Sequence, residues 1–371
     1  MKKSILLFAL SGTLVSGLAT AQCNKGQPPT QSEDCLVHVW NNPKSYPNFT
    51  IVNAHRGYWK DVPENSIPAI RAAKDLGVEA VELDVMKSKK DSRGLSQIFL
   101  MHDWKLDRLT DSKGTLRDKN WNFLMPWSQI SQAKLLDPID RSKVTKYRIP
   151  LLENALKACR DYKPGQPILI SIDKADTFMD EVYLIVKKLN MTDVVTWKTK
   201  IQIREYGGTP EGLKKYYRER GKVTSDADLN KMVEMYTPTI FGEYYAKNKS
   251  AVLEQMDKFM EAGVTGFEMV YFDNNEAMLK DRLTRRGKNY NNVLDYLRDR
   301  NTRVIQFPEW PETCQGNWSP ARNQWRDINV TTDRRGDWWW LMSSGEPDVV
   351  ITDRLEVFVT FLKQTNRRRV P

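Results

Sequence analysis

Histidine is scarce in this chain. Only three of its 371 residues are histidine and four are cysteine. Beyond the N-terminus no run is long and apolar enough to cross a bilayer. Each shortage excludes something. Four cysteines cannot form a disulfide scaffold for a chain of this size, although they suit an oxidising compartment. Cys23 and Cys35 are close enough to close a short loop, but the sequence fixes neither that pairing nor one between Cys159 and Cys314. No internal repeat or low-complexity tract stands out, which argues against a fibrous or disordered chain. The formal charge of +10 favours anionic partners, yet no helix-turn-helix, zinc-finger or RNA-binding signature accompanies it. The basic clusters TRRGK and NRRRV read as solvated surface, so nucleic acid is not an expected partner. The length permits one large α/β domain or two ordinary ones.

The first residues, MKKSILLFALSGTLVSGLATAQC, have Lys2 and Lys3, an apolar run from Ile5 to about Leu18, then Ala19-Thr20-Ala21. That is the layout of a secretory signal peptide cleaved after Ala21, and the run is short for a retained anchor. The expectation is an exported protein, periplasmic or secreted, with no stable membrane insertion. Residues 1–21 form the signal, 22–48 an N-terminal arm and 49–371 one catalytic-sized domain.

From Phe49 onward, short β-branched runs alternate with helical patterns. FTIVNAH, AVELDVMKS, QIFLMHD, PILISID, DVVTWKT, TPTIFGE, TGFEMVYF, TRVIQF and PDVVITD are the strand candidates. SIPAIRAAKDLG reads as a helix capped by Ser66, with Pro68 in its first turn and Gly77 as its stop. Repeated strand–helix units predict a parallel sheet, and this many favour a closed (β/α)8 TIM barrel. Nine candidates compete for eight places, so one is an extra. Residues 103–150 are polar and aromatic with weak periodicity, and are taken as an insertion after the third strand.

Polar residues recur at the C-terminal ends of the early strands, which in a barrel surround one mouth. His55 and Arg56 end the first, Glu82 and Asp84 lie in the second, His102 and Asp103 end the third, and Asp173 and Lys174 end the fourth. Glu82 and Asp84, two apart, face one side of their strand and can reach one ion, with Asp173 as a third oxygen ligand. Carboxylates alone suit a hard cation such as Ca2+ or Mg2+. Structural ion pairs with Arg56 or Lys174 are the competing role for these acids. Two histidines can divide the proton transfers, while Arg56 and Lys174 bind phosphate. Together these parts describe cleavage of a small-molecule phosphodiester.

The same residues carry a family resemblance. HRG with PENS, then ELD, then HD resembles the ordered signature of the glycerophosphodiester phosphodiesterase family, and VVITDR resembles its closing strand and loop. The resemblance runs from about Asn53 to about Glu356. It implies a (β/α)8 barrel with an insertion after strand three, a divalent cation, often calcium or magnesium, and hydrolysis of glycerophosphodiesters to glycerol 3-phosphate and an alcohol. By position His55 and His102 match the catalytic pair, Glu82 and Asp84 match metal ligands, and Arg56 matches a phosphate-binding residue. Glu64 and Asn65 match a loop that holds the mouth in shape. One departure stands out. The family's fourth strand commonly offers a Glu with a Lys two residues later, whereas ISIDKAD places Asp173 and Lys174 side by side. Neighbours on a strand face opposite ways, so either the strand ends at Asp173 and the chain turns, or one of the two is unused.

Glu268 is a spare acid, better explained as a structural ion-pair partner. Trp59, Trp310, Trp318 and Trp338–Trp340 can line the mouth, though most such aromatics pack a core or lid. DWWWLMSSG reads as a helix sealing the barrel, and His38 in the arm has no assigned role. Two other functions share the expected features: a phospholipase-like enzyme on the same fold working through a cyclic phosphate, and a non-catalytic exported module that binds phosphate esters.

Overall fold

A computed structural model describes residues 23–24, 26–117, 123–271, 276–308 and 338–368. The expected signal peptide, Cys314, Trp310 and Trp318 lie outside these residues. The strands in chain order are β1 (Ile51–Ala54), β2 (Ala80–Lys87), β3 (Ile98–Leu100), β4 (Lys134–Leu136), β5 (Val144–Arg148), β6 (Leu169–Asp173), β7 (Val195–Lys200), β8 (Tyr236–Phe241), β9 (Gly266–Val270), β10 (Leu283–Arg285), β11 (Lys288–Tyr290), β12 (Arg303–Gln306) and β13 (Val349–Thr352). Eight of them, β1, β2, β6, β7, β8, β9, β12 and β13, pair in parallel, and β13 returns to β1 to close the barrel. The (β/α)8 expectation holds.

Helices cover the outside because each strand needs a crossover to its parallel neighbour. The first, Ile67–Leu76, forms as its sequence dictates. The Ser66 side chain accepts from the Ala69 N–H, Pro68 sits in the first turn, and Gly77 ends it in the left-handed region.

One strand is corrected. QIFLMHD is the extra among the nine candidates: β3 is not a barrel stave but pairs antiparallel with β2, Lys87 opposite Ile98 and Val85 opposite Leu100. The cause is the length of β2. Its neighbour β6 stops at Asp173, opposite Asp84, so Val85–Lys87 stand above the rim and offer a free edge. β3 takes that edge and runs back down, and Met101 N–H donates to the Asp84 carbonyl at 3.1 Å. Leu100 N–H donates to the Pro150 carbonyl at 3.0 Å, so the chain after β5 returns beside β3. Alternate residues of β3 face two cores. Ile98 and Leu100 join the main one, while Phe99 joins Met86, Met101, Leu106, Leu109, Leu116 and Leu135 in a second, smaller cluster. The weak periodicity of this stretch hides a core of its own.

The arm docks at the opposite end. Its helix, Glu33–Asn41, buries Leu36 and Val39, and Arg303 at the start of β12 donates to the Trp40 carbonyl. A disulfide joins Cys23 to Cys35, and Cys159 is buried and free. Among the described residues no helix is long and apolar enough to cross a membrane. Trp338 lies in a short helix, Trp338–Ser344, and packs on Phe358 and Phe361 of the last helix.

Candidate active site

The turn after β1 carries His55 and Arg56 to the mouth. Arg56 takes φ 58°, in the left-handed region. Gly57 follows at φ 82°, where an added Cβ would lie 2.8 Å from Ala69 of the first helix. The glycine of HRG is therefore required by close approach and by backbone conformation.

His55 is 4% exposed. Its Nδ1 lies 2.8 Å from Asp353 Oδ1, and Trp59 Nε1–H donates to the same oxygen at 2.8 Å. The indole can only donate, so this oxygen is an acceptor, and His55 carries its proton on Nδ1. Nε2 is left facing Glu82 Oε1 at 4.0 Å. His102 is arranged alike. Its Nδ1 lies 2.7 Å from Asp103 Oδ1, and Arg108 grips both oxygens of Asp103, at 2.5 and 2.7 Å. A guanidinium donates only, so Nδ1 again carries the proton. Burial holds the His102 pKa below its usual value against the pull of Asp84, which keeps the imidazole neutral at neutral pH. Each histidine is thus fixed in one tautomer by a carboxylate that is itself held.

Asp84 is held from several sides. Asn65 Nδ2 donates to its Oδ2 at 2.8 Å, and its own N–H donates to Asn65 Oδ1 at 3.0 Å. Arg56 Nε stands 3.2 Å from Oδ2, and Lys174 Nζ 4.0 Å from Oδ1. Burial would raise this carboxyl, but His102, Arg56 and Lys174 override it and hold the pKa well below the carboxylate range. Asn65 adopts φ 51° to make its paired bonds, so the PENS loop holds Asp84 in place. Glu64 accepts from Arg56 at 2.7 Å and twice from Arg108 at 3.0 Å.

Arg56, 1% exposed, is paired with Glu64 and Asp84 beneath the mouth, whereas Lys174 is the more open cation. The chain turns at Asp173: Lys174 takes φ 67° and its Nζ donates to the His102 carbonyl at 2.7 Å. The turn lets two adjacent residues reach the same mouth. Asp173 Oδ1 accepts from the Lys174 N–H at 2.7 Å, and Oδ2 lies 3.8 Å from Lys198.

Three participants were missed from the sequence. Asp353 ends the last stave and was detectable by the rule that found the others. Arg108 lies in the excursion, five residues after Asp103. Lys198 sits inside β7, ion-paired with Glu82 and Glu268 at 3.0 Å each. Glu268 is thus an ion-pair partner, as expected.

Glu82 and Asp84 offer only carboxylate oxygens, and among the described residues no group of three His, Cys, Asp or Glu is placed to hold a metal. Asp173 therefore does not complete a preformed cage. Two carboxylates still fit a hard divalent cation whose remaining ligands are water and substrate oxygens. Burial pushes the Glu82 pKa up to about 7, against Lys198 and His55, a cost that a bound cation offsets.

The Glu64 network gives a pH test. Burial would raise the Glu64 pKa, but Arg56 and Arg108 bring it down to about 2 from 4.5. A folded value below the unfolded one stabilises the fold above pH 4.5, and that stability is lost as pH falls towards 2, by about 3 kcal/mol. Urea unfolding of wild type and Glu64→Gln should show their stability gap shrinking by that amount between pH 5 and 2. A constant gap refutes the role.

Comparison with known proteins follows the same lines. Residues 55–209 match the model of the glycerophosphoryl diester phosphodiesterase family. A glycerophosphodiester phosphodiesterase of Caldanaerobacter subterraneus subsp. tengcongensis is 41% identical over 69 residues, 19% of this chain and 26% of that protein. Glycerophosphodiester phosphodiesterase 1 of Homo sapiens is 34% identical over 109 residues, 29% of this chain and 30% of that protein. The matches span from about a quarter to under three fifths of the length of these curated relatives. A glycerophosphoryl diester phosphodiesterase structure from Parabacteroides distasonis superposes with a TM-score of 0.56 at 17% identity, covering 92% of this chain and 94% of that one. An Oleispira antarctica phosphodiesterase, solved with sn-glycerol-3-phosphate, gives 0.50 at 16% identity, covering 86% and 99%. At such identities these two structures bear on the fold alone.

Proposed function

Because this chain belongs, through residues 55–209, to the glycerophosphoryl diester phosphodiesterase family, we propose that it is an exported, metal-dependent enzyme that hydrolyses glycerophosphodiesters to glycerol 3-phosphate and an alcohol. The observation that carries this reading is the pair of carboxylate-held histidines beside Glu82 and Asp84. One imidazole takes the proton of the attacking water through Nε2. The water oxygen bonds to phosphorus, the bond from phosphorus to the alcohol oxygen breaks, and the other ring, which enters the cycle as an imidazolium, gives its Nε2 proton to the leaving alcohol. Lys174 shares the charge of the phosphoryl oxygens, and Arg56 holds Asp84 and Glu64 beneath them. Ca2+ or Mg2+ held by Glu82 and Asp84 would neutralise a nonbridging oxygen. Export rests on the N-terminal pattern and on the Cys23–Cys35 bond, which suits an oxidising compartment.

The test is release of glycerol 3-phosphate from glycerophosphocholine and glycerophosphoethanolamine, lost in EDTA and restored by Ca2+ or Mg2+. In oxygen-18 water the first product should carry solvent oxygen; an unlabelled cyclic phosphate would instead mean attack by a substrate hydroxyl. If glycerophosphocholine and bis(p-nitrophenyl) phosphate both survive with either ion added, the protein is a binder and not an enzyme.

A further inference from the structure

Lys198 points into the barrel interior, and its side chain is only 9% exposed. Carboxylates from three other staves surround its ammonium: Glu82 Oε2 of β2 and Glu268 Oε2 of β9 at 3.0 Å, and Asp173 Oδ2 of β6 at 3.8 Å. Thr239 of β8 adds a hydrogen bond to Glu268 at 3.3 Å. The other oxygen of Glu82, Oε1, faces His55. The two oxygens of this one carboxylate therefore serve different neighbours: one is turned to an internal ammonium, the other to the histidine.

An ammonium among carboxylates does what a bound cation would do there, neutralising them and fixing their spacing. We propose that Lys198 is a resident cation that closes the inner half of this carboxylate ring to divalent ions and confines a metal to Glu82 Oε1 and Asp84. It is a positioning residue, since it acts through Glu82 and not on the substrate. The inference rests on the metal-dependent reading above and deepens it by assigning the ion to one side of Glu82. It also accounts for Asp173 turning one oxygen towards Lys198, with its other oxygen on the Lys174 N–H.

The test is isothermal titration of chelator-treated wild type, Lys198→Met and Lys198→Arg with Ca2+ and with Mg2+. Removing one positive charge a few ångströms from a dication is expected to tighten binding at least about tenfold, or to admit a second ion per chain. Lys198→Arg keeps the charge and should stay within about threefold of wild type. Equal affinity and stoichiometry in Lys198→Met and wild type overturn the proposal and leave the metal-dependent reading standing. Absence of binding in all three overturns both. If Lys198→Met is unfolded without metal, recovery of native near-ultraviolet circular dichroism on adding Ca2+ or Mg2+ supports the proposal. Failure to recover in either ion overturns it.

Discussion

Glutamine in place of His55 or of His102 is expected to lower kcat on glycerophosphocholine by about 10²–10⁴, with KM little changed. Both variants should fold, because glutamine keeps a donor for Asp353 or Asp103. Asp353→Asn extends the test to the group that orients His55. Asp353 Oδ1 accepts from His55 Nδ1 and Trp59 Nε1 at 2.8 Å each. With the carboxylate charge gone, the proton on Nδ1 is no longer favoured and the ring can present the wrong nitrogen. We expect a loss of about 10²-fold or more in kcat, together with a displaced limb in the pH–rate profile. Steady-state kinetics from pH 5 to 9 check all three. Full activity in Asp353→Asn would reduce the His55–Asp353 contact to packing.

Arg56→Met should be the most destabilising single change at the mouth. The guanidinium is 1% exposed, and it pairs with Glu64 at 2.7 Å and Asp84 at 3.2 Å. Methionine fills much of its volume but leaves two buried carboxylates short of a partner, at a cost of about 3–5 kcal/mol. In a chain of this length that corresponds to a fall in Tm of about 4–7 °C. Arg56→Lys should recover only part, because an ammonium cannot span two carboxylates as a planar fork does. Calorimetry decides the matter: an Arg56→Met Tm within about 2 °C of wild type would show that Arg108 and Asn65 hold the loop alone.

Much of this was legible in the sequence, and the failures have physical causes. Alternation placed Glu82 and Asp84 on one side of β2, and the strand-end rule gathered the histidines at one mouth. QIFLMHD misled because a short apolar strand looks the same whether it pairs parallel or antiparallel. The discriminating sign was the connection: residues 88–97 are too few and too polar to supply a crossover helix, and a parallel partner would need one. Lys198 was hidden by the same alternation that exposed Glu82. Thr196, Lys198 and Lys200 look like the solvent face of a strand, and only closure of the sheet makes that face an interior. Lys174 depended on a left-handed turn that no composition rule demands of lysine.

The excursion above the rim has a small apolar cluster of its own, and it supplies both Asp103 and Arg108. One member of the proposed proton-transfer pair, His102 with its Asp103, therefore stands on an annexe whose apolar cluster is separate from that of the staves. Warming is expected to silence turnover before the calorimetric transition of the barrel, and loss of both at one temperature would show a single cooperative unit.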